Sequence, residues 1–194
     1  MNEFNLTLPL VGKKLPNLEF DALVNDQIKK MKMSDFASKW LLLVFYPGDF
    51  TFICPTELRE LATLYPAFQK INVEVIGVST DSVFVHKAWH DSSPAIKAVD
   101  FPLAADPAGI LSRALGVYLE NDGVALRGTF IIDPDGVIKS AETNDNSIGR
   151  SGAEMMRKVQ AAQYVMTHPG EVCPMNWKPG EATLKPGLDL VGKI

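Results

Sequence analysis

Apolar residues along this chain recur with two periods, and the changes between them mark the elements. Residues 41–46 (LLLVFY) and 73–78 (VEVIGV) are short apolar runs bounded by breakers, the pattern of strands buried on both faces and so of central parallel strands. Between them Leu58, Leu61, Ala62, Leu64, Tyr65 and Phe68 recur at helical spacing, which predicts a strand, helix, strand crossover. Residues 81–90 (DSVFVHKAWH) predict a helix capped by Asp81 or Ser82, and residues 101–106 (FPLAAD) predict a strand. Residues 107–116 (PAGILSRALG) predict a helix opening on Pro107 and closing on Gly116. Residues 124–132 and 137–142 flank the turn DPDG, which predicts an antiparallel hairpin added at one sheet edge. The longest helical pattern, residues 151–168, opens on Ser151 with Glu154 placed to complete a capping box. This order defines an α/β fold with a central mixed sheet covered by helices. From Pro169 onward Pro174, Pro179 and Pro186 forbid any long helix, so the chain divides into a domain, 1–168, and a C-terminal tail, 169–194.

Composition narrows the function classes. The 194 residues, 46% of them hydrophobic, suit one domain with its own core. A formal charge of −4, with no run of Lys and Arg longer than two, supplies no basic stripe for nucleic acid. The opening residues, MNEFNLTLPLVGKK, carry Glu3 and no sustained apolar stretch, so neither a secretory leader nor a membrane span is expected, and the expected location is cytoplasmic. Two cysteines are too few for a disulfide scaffold, so each must be judged by its neighbours.

Cys54 follows an apolar strand and precedes Pro55, placed as a first helical residue. Free backbone N–H groups and the positive end of a helix would then lie near its sulfur and favour the thiolate, and a loop position would expose it to substrate. Position alone leaves the other reading open, a buried and inert cysteine. Cys173 stands in the proline-rich tail with few core-like neighbours, either as an incidental thiol or as one with work to do. Neither belongs to a C-x-x-C pair: the partner positions around Cys54 hold Thr51 and Glu57, which disfavours simple dithiol exchange. A hydroxyl at Thr51 is instead placed to donate a hydrogen bond to a thiolate or to an oxygen bound against it.

The segment PGDFTFICPTE resembles the P-x-x-x-T-x-x-C active-site segment of the peroxiredoxins. VSTDSVFVHKAW, LRGTFIIDPDG, IGRS and HPGEVCPMNWKPGEATL are similar to the corresponding segments of their typical two-cysteine branch, and of its bacterial alkyl hydroperoxide reductases most of all. The resemblance runs from about residue 8 to the last residue. It implies a thioredoxin-like fold and a thiol-dependent peroxidase acting on hydrogen peroxide and organic hydroperoxides. Carried over residue by residue, it makes Cys54 the peroxidatic cysteine, shielded by Pro47, with Thr51 bonding the peroxide. It makes Arg127 the active-site arginine, held by Glu57, and Arg150 a second arginine closing the site. Cys173 becomes the resolving cysteine, acting from the partner subunit of a homodimer. The resemblance also implies pairing of the edge strand VIKSAE with its copy, a ring of five dimers, and no metal, haem or flavin in this chain. The implied reductant is the flavoprotein disulfide reductase that completes an alkyl hydroperoxide reductase system, with a thioredoxin-type donor second. A ring-forming holdase chaperone whose cysteines sense oxidation is the alternative of another class; intact Pro47, Thr51, Cys54 and Arg127 favour catalysis.

Magnitudes say where such catalysis must come from. An ordinary thiol is roughly 3% ionised at pH 7, so complete ionisation gains at most about 30-fold, near 2 kcal/mol. Groups that polarise the O–O bond in the transition state, Arg127 and Thr51 among them, must supply more. Two features that mark readily over-oxidised family members, a Gly-Gly-Leu-Gly insertion and a terminal Tyr-Phe helix, are missing: the chain has SPAIKAVDF in the first region and ends LDLVGKI. Resistance to over-oxidation is therefore expected. His86 and His90, four apart on one predicted helix, are too few to hold a metal and read as packing or solvated residues. Met155, Met156 and Met166 read as core or interface residues.

Overall fold

A computed structural model describes residues 9–193; of the opening segment in which no leader is expected, residues 1–8 lie outside the described residues. The chain divides into two compact units at the Arg150/Ser151 junction. The boundary expected at 168/169 falls inside the second unit.

In the first unit the strands are β1 (Glu19–Val24), β2 (Gln27–Lys32), β3 (Trp40–Phe45), β4 (Val73–Ser79), β5 (Leu103–Ala105), β8 (Arg127–Ile132) and β9 (Ile138–Asn144). They form one sheet of order β2-β1-β5-β4-β3-β8-β9. β3, β4 and β5 run parallel; β8 joins β3 antiparallel, and β9 closes that edge antiparallel to β8. Every residue of β3 and of β8 is buried; β3 (WLLLVF) accordingly reads as an unbroken apolar run, whereas β8 (RGTFII) buries the polar Arg127 and Thr129 ahead of its apolar end. Leu41, Leu43 and Phe45 share a core with Ile76, Val78, Phe130 and Ile132. Helix α1 (Cys54–Lys70) links β3 to β4 and packs on β4; α2 (Val83–Ser92) packs on β1 and β5. Ser82 caps α2, its hydroxyl accepting from the Val85 amide.

Two expectations change, and one element was not foreseen. The strand expected over 124–132 breaks at Leu126: β7 (Val124–Ala125) pairs instead with β6 (Tyr118–Leu119), and only Arg127 onward joins the main sheet. The helix expected over 107–116 shrinks to α3 (Ile110–Ala114). Its start is displaced because the buried Asp106 carboxylate accepts from the amides of Leu111 and Ser112 and from the Ser112 hydroxyl. Gly109, at φ 65° with the Tyr118 ring against it, turns the chain into the helix. The hairpin β1–β2 had no sequence signal strong enough to predict it; its turn places Asn25 and Asp26 both at positive φ, as a type I′ turn requires.

In the second unit, α4 (Gly152–Thr167) is capped by the Ser151 hydroxyl, which accepts from the Glu154 amide. The capping box is half made, because the Glu154 carboxylate turns to Arg157 at 2.6 and 2.8 Å. Met155 is buried and Met166 exposed. The tail is more ordered than its prolines imply. Val172 and Leu184 exchange both backbone hydrogen bonds, closing a loop around the buried Trp177, whose carbonyl accepts from Arg157. Among the described residues no helix is long and apolar enough to cross a membrane.

Burial in the central strands sets their worth. Leu43→Ala, at a fully buried position of β3, is expected to cost about 2–5 kcal/mol, whereas Ile28→Ala on the exposed face of β2 is expected to stay within about 0.5 kcal/mol, both read by chemical denaturation.

Candidate active site

β3 ends at Phe45, the chain turns through residues 46–53, and α1 opens on Cys54 itself, with Pro55 second rather than first. Either position suits proline, since the first helical amides have no intrahelical acceptor. The Ile53 carbonyl accepts from the amides of Thr56 and Glu57, so two of the donors expected near the sulfur are already committed. Cys54 is completely buried, not partly exposed as its loop position implied, because it is the inward residue of the first turn of α1. Pro47 is half-buried in the loop ahead of it, and Thr51 and Phe52 are exposed.

The group that reaches Cys54 comes from 73 residues away: Arg127, first residue of β8, places Nη1 3.4 Å from Sγ. The same Nη1 lies 2.8 Å from Glu57 Oε2, while Nε and Nη2 both donate to the Asn146 carbonyl at 3.0 and 2.9 Å. Arg150 joins from the chain after β9. Its Nη2 donates to Glu57 Oε2 at 2.9 Å, its Nε and backbone amide to Oε1 at 3.0 and 2.8 Å, and its Nη1 to the Gly128 carbonyl at 2.8 Å. The side chains of Glu57, Arg127 and Arg150 are 4%, 3% and 2% exposed, so this cluster works in a low dielectric. Two guanidiniums against one carboxylate leave a surplus positive charge beside the sulfur, suited to a thiolate or to a developing oxyanion.

Burial is the largest single influence on Glu57 and pulls its carboxyl up. The hydrogen bonds and charge of Arg150, together with the charge of Arg127, outweigh it and hold the group below the usual carboxylate range. Thr51 behaves otherwise than expected: its hydroxyl donates to the Gly48 carbonyl at 2.8 Å. With its one proton committed, Thr51 offers lone pairs and serves as an acceptor rather than a donor.

The sequence-predicted residues thus fall into two groups. Cys54, Glu57, Arg127 and Arg150 converge on one buried cluster, with Pro47 and Thr51 in the loop that leads into it. Cys173 belongs to the second unit, where it is half-buried with Sγ 3.9 Å from the Ala161 carbonyl. Burial pushes its thiol up, the Arg157 charge draws it back, and the Glu171 charge pushes further, leaving it above the ordinary value. Sequence reasoning missed the Asn146 carbonyl, which has no side-chain signature, and the partner of His86, which is completely buried with Nδ1 2.7 Å from Asp49 Oδ2.

His90 does not share the surroundings of His86. It lies beside Asp26 and Asp91, close enough for the three to share a cation, but Lys87 Nζ already sits 2.5 Å from both Asp91 oxygens. A cavity of about 260 Å³ lined by Leu15, Met33, Phe36, Leu41, Ile132 and Pro134 includes none of the predicted site residues.

A buried cysteine at a strand-to-helix junction with an arginine braced against its sulfur defines a thiol enzyme built for oxyanion chemistry. Comparison with known proteins identifies which. The sequence model of the AhpC/TSA family matches residues 11–141, and that of the C-terminal domain of 1-Cys peroxiredoxin matches residues 161–191. Alkyl hydroperoxide reductase C of Staphylococcus epidermidis is 50% identical over 169 residues, 87% of this chain and 89% of the relative. The protein of that name from Escherichia coli strain K12 is 46% identical over 187 residues, 96% of this chain and all (100%) of the relative. Among solved structures, Enterococcus faecalis AhpC is similar at a TM-score of 0.84 and 43% identity, covering 86% of this chain and 100% of its own. The reduced 2-Cys peroxiredoxin of Plasmodium vivax is similar at a TM-score of 0.89 and 34% identity, covering 94% and 96%. The chain belongs to the AhpC/TSA family. It is a peroxiredoxin, a thiol-dependent peroxidase on a thioredoxin-like fold, as its motifs implied.

Because Glu57 is held below its unfolded value, its contribution to stability is complete above that value, about pH 4.5, and is lost as pH falls through the lower folded one. Glu57→Gln leaves two buried guanidiniums without their countercharge. It is expected to lower stability by about 3–5 kcal/mol at pH 7 and to flatten the acid limb of a stability–pH profile measured by denaturant unfolding.

Proposed function

We propose that the chain reduces hydrogen peroxide and organic hydroperoxides by a two-thiol cycle. The Cys54 thiolate attacks one peroxide oxygen, the S–O bond forms as the O–O bond breaks, and the departing oxygen takes a proton to leave as water or alcohol. Arg127 donates to the oxygens as charge builds on them, Thr51 accepts from the peroxide O–H, and Pro47 keeps water from the sulfur. Glu57 aims Arg127, and Arg150 holds Glu57. Cys173 of a partner subunit then attacks the Cys54 sulfenic acid, releasing water and forming a disulfide. A dithiol reductant returns both thiols: a flavoprotein disulfide reductase, or a thioredoxin-type donor.

The observation that carries this reading is the 3.4 Å approach of Arg127 Nη1 to the buried Cys54 Sγ, with the same guanidinium fixed by Glu57 and by the Asn146 carbonyl. Since Cys54 has no exposed surface, a disulfide requires the first turn of α1 to open. Residues 93–101 read SPAIKAVDF where a Gly-Gly-Leu-Gly insertion would restrain that opening, so Cys173 competes well with a second peroxide. The β9 edge is the surface by which two chains pair, five such dimers form a ring, residues 169–194 are the tail that delivers Cys173, and the protein works in the cytoplasm.

Addition of one equivalent of hydrogen peroxide to the reduced protein is expected to give a Cys54–Cys173 cross-link between chains, read on a non-reducing gel with mass mapping. Peroxide consumed without that cross-link refutes the role of Cys173, and peroxide left untouched refutes the cycle. Because the Cys173 thiol is raised, the disulfide step is expected to accelerate by roughly tenfold per pH unit below its pKa, whereas oxidation of Cys54 is not tied to that group. A quenched-flow series across pH separates the two steps.

A further inference from the structure

A second buried polar cluster lies under the loop that leads into Cys54, and the thiol chemistry makes no use of it. Asp49 and His86 have completely buried side chains, with Asp49 Oδ2 2.7 Å from His86 Nδ1. Tyr46 donates its hydroxyl to Asp49 Oδ1 at 2.8 Å. The Asp49 amide donates to Asp81 Oδ2 at 2.8 Å, and that oxygen also accepts from the Ser79 hydroxyl at 2.7 Å. Asp49 is thereby gripped from the end of β3, from the end of β4 and from α2.

The two residues after it show what the grip holds. Phe50 has φ 54°, in the left-handed region that an aromatic residue rarely adopts, and such backbone persists only where its surroundings over-determine it. Its ring tilts against Trp89 of α2 at 6.0 Å. Thr51 follows, its hydroxyl bonded back to the Gly48 carbonyl. The loop is thus a strained turn whose polar anchor to the core is Asp49, two residues before Thr51.

His86 carries a cost that packing does not explain. Its Nε2 is buried with no hydrogen-bond partner among the described residues, and a buried ring nitrogen left unpaired destabilises the fold. An apolar side chain of similar size would fill the same space without that loss. The ring's bond to Asp49 is what such a replacement would forfeit. Tyr46 does not substitute for it: burial first, then the Asp49 charge, keeps its proton in place, so it is already a full donor to the other carboxylate oxygen.

We propose that His86 is a positioning residue for the peroxidase reaction, which through Asp49 fixes the strained 47–51 loop and so sets where Thr51 and Pro47 meet the peroxide above Cys54. The inference rests on the reading that Thr51 contacts the peroxide and that Cys54 attacks it.

The test uses the full chain, fully reduced, with hydrogen peroxide and iodoacetamide as two probes of the same sulfur. Iodoacetamide must reach the same buried thiolate but makes no hydrogen bond that depends on where Thr51 sits; peroxide needs the thiolate, that access and the placed loop. His86→Leu is expected to slow Cys54 oxidation by peroxide on the order of 10- to 100-fold while leaving the alkylation rate and its pH profile unchanged. His86→Asn, whose amide nitrogen replaces Nδ1 and donates to Asp49, is expected to recover most of the peroxide rate. Thr51→Val, the control for the underlying reading, is expected to lose peroxide rate without losing alkylation. The inference is overturned if His86→Leu keeps the wild-type peroxide rate while Thr51→Val loses it. It is equally overturned if peroxide and alkylation rates fall together in both His86 variants, the mark of a merely structural role. A wild-type peroxide rate in Thr51→Val defeats the reading of Thr51 itself, and the inference with it.

Discussion

The carboxylate of Glu57, gripped by two buried guanidiniums, is the interaction on which the site depends. Arg127 is held within reach of the Cys54 sulfur because Glu57 and the Asn146 carbonyl take up its remaining donors, and Arg150 holds Glu57 in turn. Charges with 2–4% exposure are costly to bury, and the cluster survives because the three groups satisfy one another. The arrangement leaves one positive charge uncompensated beside the Cys54 sulfur, which is where the proposed cycle would use it. A fixed charge in a dry site costs no reorganisation when the bond breaks, which gives it more value than the same guanidinium has in water.

The fold serves that cluster by bringing three remote pieces of chain together. Parallel pairing of β3 with β4 forces the crossover that starts α1 at Cys54, and antiparallel pairing of β8 with β3 brings Arg127 to the same end of the sheet. β9 then returns along β8, and the chain beyond it supplies Asn146 and Arg150. Sheet register therefore decides the geometry, since a one-residue slip of β8 would turn Arg127 to the opposite face. The loop 46–51 adds a second constraint from beneath, where Asp49 joins β3, β4 and α2 through Tyr46, Asp81 and His86.

Elements with a continuous or regularly spaced apolar pattern were legible in the sequence. β3, β4, α1 and α2 were all expected from apolar runs or helical spacing, with ends off by a residue or two. The hairpin β1–β2 was not, because β2 (QIKKMK) is exposed along nearly its whole length and so carries no core-facing pattern. The shortening of α3 was equally hidden, since it depends on Asp106 capping from inside the core. In the site, the residue types were recognisable from the motifs around Cys54, Arg127 and Arg150. What was not legible was direction: that the Thr51 proton goes to Gly48, that Cys54 faces inward, and that His86 looks to Asp49 rather than to His90. Hydrogen-bond direction follows from three-dimensional placement, which spacing along the chain does not encode.

The central claim is that Arg127 acts on the peroxide and not merely on the ionisation of Cys54. The most direct measurement is the rate of Cys54 oxidation by hydrogen peroxide beside its rate of alkylation by iodoacetamide, in wild type and in Arg127→Ala, across pH. The account predicts a loss on the order of 10²- to 10³-fold with peroxide, and a loss in alkylation below the ceiling of about 30-fold that ionisation allows. Equal losses in the two rates at every pH would contradict it, reducing Arg127 to a counter-ion for the thiolate.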